Sequence, residues 1–203
     1  MKAGFSLVEI LSVLAIMSLV AVVSLNSLSS IGSAYNLTTA SNNVRGALNF
    51  ARQESATLNA TVEFRVYRYS IAGVAGEPSS YHAYQLFQDV ATSASSTGMA
   101  RPLTRVQLLP GRIIFSSNAT LSPALASGSP IPGSTPAPAP LPASYEYEVF
   151  HFRPNGSNDL GAANFLTLVD GASAGNQTVP PLNYATIQID SLSSAVTELR
   201  PGG

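Results

Sequence analysis

Side chains able to do chemistry are sparse in this chain, so their positions carry the argument. There are 2 histidines and no cysteine among 203 residues, which excludes a thiolate metal site, a cysteine nucleophile and a disulfide scaffold. His82 and His151 both fall in segments of strand-like alternation, where a hydrogen-bonded structural histidine is the ordinary reading. No G-x-S-x-G elbow, phosphate loop or dinucleotide fingerprint occurs. The sequence therefore gives no reason to expect an enzyme, and it implies no cofactor. The one cluster of oxygen ligands suited to a cation is Asn155, Asn158 and Asp159 around Gly156, a turn that could hold calcium. One carboxylate is few for such a site, and the spacing of a helix–loop–helix calcium motif is absent.

Nucleic-acid binding needs clustered cations. Arg65, Arg68, Arg101, Arg105 and Arg112 form the main grouping. Against them stands a balance of 10 Lys+Arg to 11 Asp+Glu, a formal charge of -1, so a generic nucleic-acid partner is not expected. The most unusual charge is Glu9. It is followed by residues 10–44 without any charge, and it stands inside the apolar run FSLVEILSVLAIMSLVAVVSLNSL from Phe5 to Leu28. As a helix that run would measure about 36 Å at about 1.5 Å per residue, the span of a bilayer. Lys2 ahead of it predicts a cytoplasmic N-terminus. A carboxylate in such a run costs free energy unless a partner meets it. Cutting the chain after Gly4 would free the amine of Phe5. Between staggered neighbouring helices that amine can meet Glu9 of the next copy.

Four segments must position these groups. Residues 1–4 read as a cytoplasmic leader, 5–28 as a transmembrane helix, and 29–58 as its amphipathic continuation. Residues 59–203 read as a β-rich head on the far side of the membrane. In the continuation, Val44, Leu48, Ala51, Ser55 and Leu58 recur at helical spacing and predict a stripe packed on a sheet. From Val62 the period changes to 2: Val62, Phe64 and Val66 alternate with Glu63, Arg65 and Tyr67. Further strands are expected at 81–88, 103–108, 112–116, 145–152, 165–169, 185–189 and 195–199, separated by Gly/Pro turns. The fold class expected is α+β: a long N-terminal transmembrane helix, then a small, mainly antiparallel sheet head. Residues 118–144 hold 7 of the 14 prolines and no charge, and predict a loose surface insertion or a docking arm.

Lys2-Ala3-Gly4-Phe5-Ser6-Leu7-Val8-Glu9-Ile10-Leu11 resembles the prepilin signal of type IV pilins and type II secretion pseudopilins. Ala51-Arg52-Gln53-Glu54-Ser55-Ala56 with the strand Val62–Tyr67, and the later Phe152-Arg153-Pro154-Asn155-Gly156, are similar to FimT/GspH-type minor pilins. Val62–Tyr69, Ala83–Phe87 and Leu108–Gly111 narrow the likeness to the prepilin-like group called Verru_Chthon cassette protein D. The resemblance implies a minor pilin or pseudopilin. Gly4–Phe5 would be the cleavage site of a prepilin peptidase, Phe5 would be N-methylated, and Glu9 would be the assembly carboxylate. The implied partners are other pilins through the N-terminal helix, the peptidase and inner-membrane lipid. The implied location is the bacterial inner membrane, single-pass, with a periplasmic head, and a filament after assembly. The alternative implied is a minor pilin that binds DNA or export cargo.

Overall fold

The computed structural model describes residues 6–70, 79–89, 100–126, 129–162, 164–171 and 179–201, with the backbone alone given for 21–31 inside the helix. One α-helix, α1 (Leu7–Thr57), leads into ten strands: β1 (Val62–Tyr69), β2 (Ser80–Gln88), β3 (Arg101–Pro102), β4 (Gln107–Leu108), β5 (Ile113–Phe115), β6 (Ile131–Pro132), β7 (Glu146–Phe152), β8 (Phe165–Asp170), β9 (Tyr184–Ile189) and β10 (Val196–Leu199). A short 3-10 turn lies at Pro123–Leu125.

Helix α1 runs 51 residues with no proline to interrupt it. It ends where Asn59 takes a left-handed φ of 47°. There Ala60 N–H donates to Ser55 O and Asn59 N–H to Ala56 O, the paired bonds that close a helix C-terminus around a left-handed residue. The turn sends the chain straight into β1.

All ten strands join one antiparallel sheet in the order β10-β9-β8-β5-β2-β1-β7-β6, with β3 and β4 pairing further along β2. β1 is an interior strand held on both sides: Phe64 stands opposite Leu86 of β2 and Phe150 of β7. One sheet face carries Phe64, Val66, Phe115, Phe150, Phe152, Leu166, Leu168 and Ile187, and meets Leu37, Ala40, Val44, Leu48 and Ala51 of α1. Those five helix residues are at most 1% exposed, so the stripe is a real seam. Burying a leucine such as Leu48 contributes about 1.5–3 kcal/mol.

The opposite sheet face is covered too. Tyr67, Ala83, Val106, Leu141 and Tyr145 form a second apolar cluster, joined by Ala137. Leu141 and Ala137 come from the proline-rich stretch, which therefore lies on the sheet instead of looping into solvent. Ala124 and Leu125 from the 3-10 turn enter the main core. β6 pairs with β7, and Gly133 N–H donates to Tyr145 O. The architecture is three layers: helix, sheet, arm.

This layout corrects the expected one. The sheet is not a small appendage to a membrane anchor but a ten-stranded body. Among the described residues, no helix is long and apolar enough to cross a membrane. The apolar run at the start of α1 is not uniform. Glu9, Ser12 and Ser18 interrupt it, and the helix beyond Ile31 is rich in Ser, Thr and Asn. The transmembrane assignment, the single-pass inner-membrane placement and the pilin layout built on them are corrected accordingly.

Candidate assembly surface on the N-terminal helix

The helix divides into two environments. Its C-terminal half is spent on the sheet. Ser55 Oγ donates to Arg153 O, and Arg45 pairs with Glu198 of β10 at 3.3 Å. Ser33 Oγ donates to Asp170 at 2.6 Å, the contact nearest the N-terminal half. Among the described residues, Leu7 to Leu19 enter no core cluster and make no bond to the sheet. Leu7, Val8, Ile10, Leu11, Val13, Leu14, Ile16, Met17, Leu19 and Val20 are 47–76% exposed. At 100° per residue these positions occupy every side of the helix, not one stripe. A single partner helix would cover only one stripe, so covering this surface takes several neighbours at once.

Glu9 is exposed in the first turn of α1, where the positive end of the helix dipole favours a carboxylate. Glu9 N–H donates to Ser6 O, and Ser12 Oγ donates to Glu9 O, so its backbone is fixed while its side chain projects outward. It is the one charge among the exposed apolar residues 7–20. Gly4 and Phe5, the expected processing site, lie outside the described residues.

The other sequence-predicted residues are dispersed or engaged. Arg65 and Arg68 sit on β1 but face opposite sides of the sheet. Arg65 is packed over the rings of Phe87 (4.0 Å) and Tyr147 (4.8 Å) and pairs with Glu63 at 2.5 Å. Arg68 pairs with Glu146 at 3.2 Å. Arg101 lies on β3, Arg105 in the link to β4, and Arg112 beyond the Pro110-Gly111 turn, all three exposed. The five do not converge on one patch. In the Asn155 turn, Asn155 Oδ1 accepts from Ser157, Asn158 Nδ2 donates to Asp190 O, and Asp159 holds His151. Among the described residues no group of three acidic or histidine side chains could hold a metal ion.

His151 is the best-held titratable group. Its Nδ1 lies 2.5 Å from Asp159 Oδ2, and its backbone N–H donates to Asp159 Oδ1 at 2.8 Å. The Asp159 hydrogen bond raises the imidazole above its usual range despite burial, and the charges of Asp159, Glu63 and Asp89 add to the rise. Burial pushes Asp159 up, but the bonds from His151 outweigh it and the carboxyl ends below its usual range.

Sequence reasoning missed one feature. Along β7, the alternation of Tyr147, Val149 and His151 reads as giving His151 a core or partly buried place, and His151 is partly buried. The buried set is Glu148, Phe150 and Phe152. The aromatic pair at 150 and 152 was the available signal, because two phenylalanines on one face outweigh a single Val–His alternation.

No known protein family, curated protein or solved structure matches this chain.

Proposed function

We infer that this chain is a non-enzymatic filament subunit of the minor pilin or pseudopilin kind, processed between Gly4 and Phe5 and assembled through the N-terminal half of α1. The observation that supports the reading is the exposed, all-round apolar surface from Leu7 to Val20, with Glu9 as its single charge. Burying such a surface among several like helices removes apolar area from water at about 25 cal/mol per Å². It also brings Glu9 into a dry environment, where a carboxylate is tolerated only beside a positive partner. The freed Phe5 amine of a neighbour is such a partner, and meeting it would set the stagger between subunits.

The test is assembly of full-length chain co-expressed with a prepilin peptidase and its filament partners. Glu9→Leu is expected to leave cleavage and head folding intact but to reduce incorporation at least tenfold, read by sedimentation of sheared filaments. Normal incorporation of Glu9→Leu would overturn the pairing role. The alternative of a DNA- or cargo-binding subunit takes second place, because the five arginines do not share a face and the two most central are already paired.

A further inference from the structure

On the sheet face away from α1, a solvent-open pocket of about 470 Å³ lies between the proline-rich arm and β3. The sheet supplies Arg65, Gln85 and Phe87. β3 supplies Pro102, which stands opposite Phe87, and the arm supplies Pro136 and Pro138.

The two polar groups of the sheet are held in place. Arg65 lies over the rings of Phe87 at 4.0 Å and Tyr147 at 4.8 Å. Its Nε and Nη2 both donate to Glu63 Oε2, at 2.7 and 2.5 Å, and its Nη1 bonds no described residue. Gln85 is 5% exposed. Its Oε1 accepts from the Tyr67 hydroxyl and its Nε2 donates to Thr104 O, each at 2.8 Å. A side-chain amide carries two N–H groups, so one of those of Gln85 is unused among the described residues.

The hydrogen-bonding inventory is therefore one-sided. Donors are left over on Arg65 and Gln85. The side-chain oxygens are engaged: Gln85 Oε1 by Tyr67, and Ser134 Oγ and the Tyr145 hydroxyl by each other at 3.2 Å. A ligand matched to this pocket brings carbonyl oxygens and no N–H that would be left unpaired. It is also uncharged, because Glu63 already balances Arg65 and would repel an anion. The ring walls favour a compact apolar ring. The peptide bond preceding a proline combines all of these: a carbonyl, no N–H, no charge, and a ring that presets φ near about −65°. The same sheet face already carries a chain of this kind, since Ala137 and Leu141 of the arm pack with Tyr67 and Tyr145. Aromatic grooves take proline-rich segments on this principle.

We propose that the pocket binds an uncharged prolyl peptide, with a proline ring seated among Phe87, Pro102 and Pro138 and the adjoining carbonyl accepting from Arg65 Nη1. Glu63 is a positioning residue, which holds the guanidinium flat and neutralises it. The pocket belongs to the head, on the face that α1 does not touch, so it stands independently of the assembly reading.

The experiment titrates the full-length chain with acetyl-Pro-Ala-Pro-amide and follows the Arg65 Nε–H and the Gln85 side-chain amide by NMR. Both signals are expected to shift and saturate. Acetyl-Ala-Ala-Ala-amide should bind about tenfold more weakly, because its N–H groups meet no free acceptor. Arg65→Lys keeps a cation for Glu63 but loses the planar fork, and should weaken the prolyl peptide about fivefold, the scale of one hydrogen bond. Absence of a saturable shift would overturn the proposal, as would equal binding of the alanyl peptide or displacement of the prolyl peptide by inorganic phosphate. If Arg65→Lys does not fold, Pro102→Ala on the exposed β3 replaces it, and unchanged affinity there sinks the proposed seat. Shifts that appear on concentrating the chain alone identify the source as the arm of a second copy, whereas shifts that need added peptide identify a separate partner. Both support the prolyl chemistry.

Discussion

At the scale of single residues, the best-defined interaction is the clasp between His151 and Asp159. Two bonds from one residue to one carboxylate fix the start of the turn that runs through Asn155 and Gly156. The folded His151 binds its proton more tightly than the unfolded chain, so its contribution is complete below about 6.5 and fades as pH rises through the raised folded value. Asp159 behaves in the opposite sense. Its contribution is complete above its unfolded value and is lost as pH falls through the lowered folded one. The clasp therefore works best between the two folded values. Asp159→Asn should lower unfolding stability by about 1 kcal/mol at pH 6, a charged hydrogen bond discounted for a side chain about one-third exposed. Urea titration at pH 6 and pH 9 checks this. The deficit should shrink toward pH 9, as pH rises through the raised folded value of the imidazole. A deficit independent of pH would mean that the ion-pair part contributes nothing.

At the scale of elements, the proline-rich arm is the piece whose role the fold redefines. Its sequence lacks charge and regular periodicity, so the stretch reads as loose. What pins it is a set of contacts that no local pattern announces: Leu141 and Ala137 on the outer cluster, Ser134 on the Tyr145 hydroxyl, and Gly133 beneath the Tyr145 ring. A Cβ at Gly133 would collide with that ring. Gly133→Val should lift the arm root from Tyr145 and cost about 1–3 kcal/mol, the usual range for overpacking. It should also raise amide exchange at residues 131–134, leaving α1 and the β8–β9 pair unchanged. By contrast, the strands were legible, because their alternation reflects burial on one face. Val62, Phe64 and Val66 are buried while Glu63 and Arg65 are not. The helix stripe was legible for the same reason up to Ser55. Leu58 lies past the helix end and is 40% exposed. The buried Glu148 was not legible, since a carboxylate inside a strand reads as solvent-facing until the register places it opposite Val66 on the helix-side face.

At the scale of the whole molecule, the chain is two bodies on one helix with opposite needs. The sheet buries residues of α1 from Leu37 to Ser55, and the farthest tie toward the N-terminus is Ser33 to Asp170. Among the described residues, none from Leu7 to Leu19 enters the core or bonds to the sheet. Local composition identified the apolar half, while among the described residues no helix is long and apolar enough to cross a membrane. The division predicts separable functions. A chain beginning at Ser29 should fold with a melting temperature within about 4 °C of the full-length protein, since a loss of about 1 kcal/mol shifts a protein of this size by about 2–4 °C. The same chain should fail to enter filaments, because it lacks the whole exposed surface from Leu7 to Val20. Calorimetry and filament sedimentation, run on the same preparation, check both halves of the prediction. A large fall in melting temperature would place part of the sheet's stability in the N-terminal half of α1. Retained assembly would move the assembly surface onto the head.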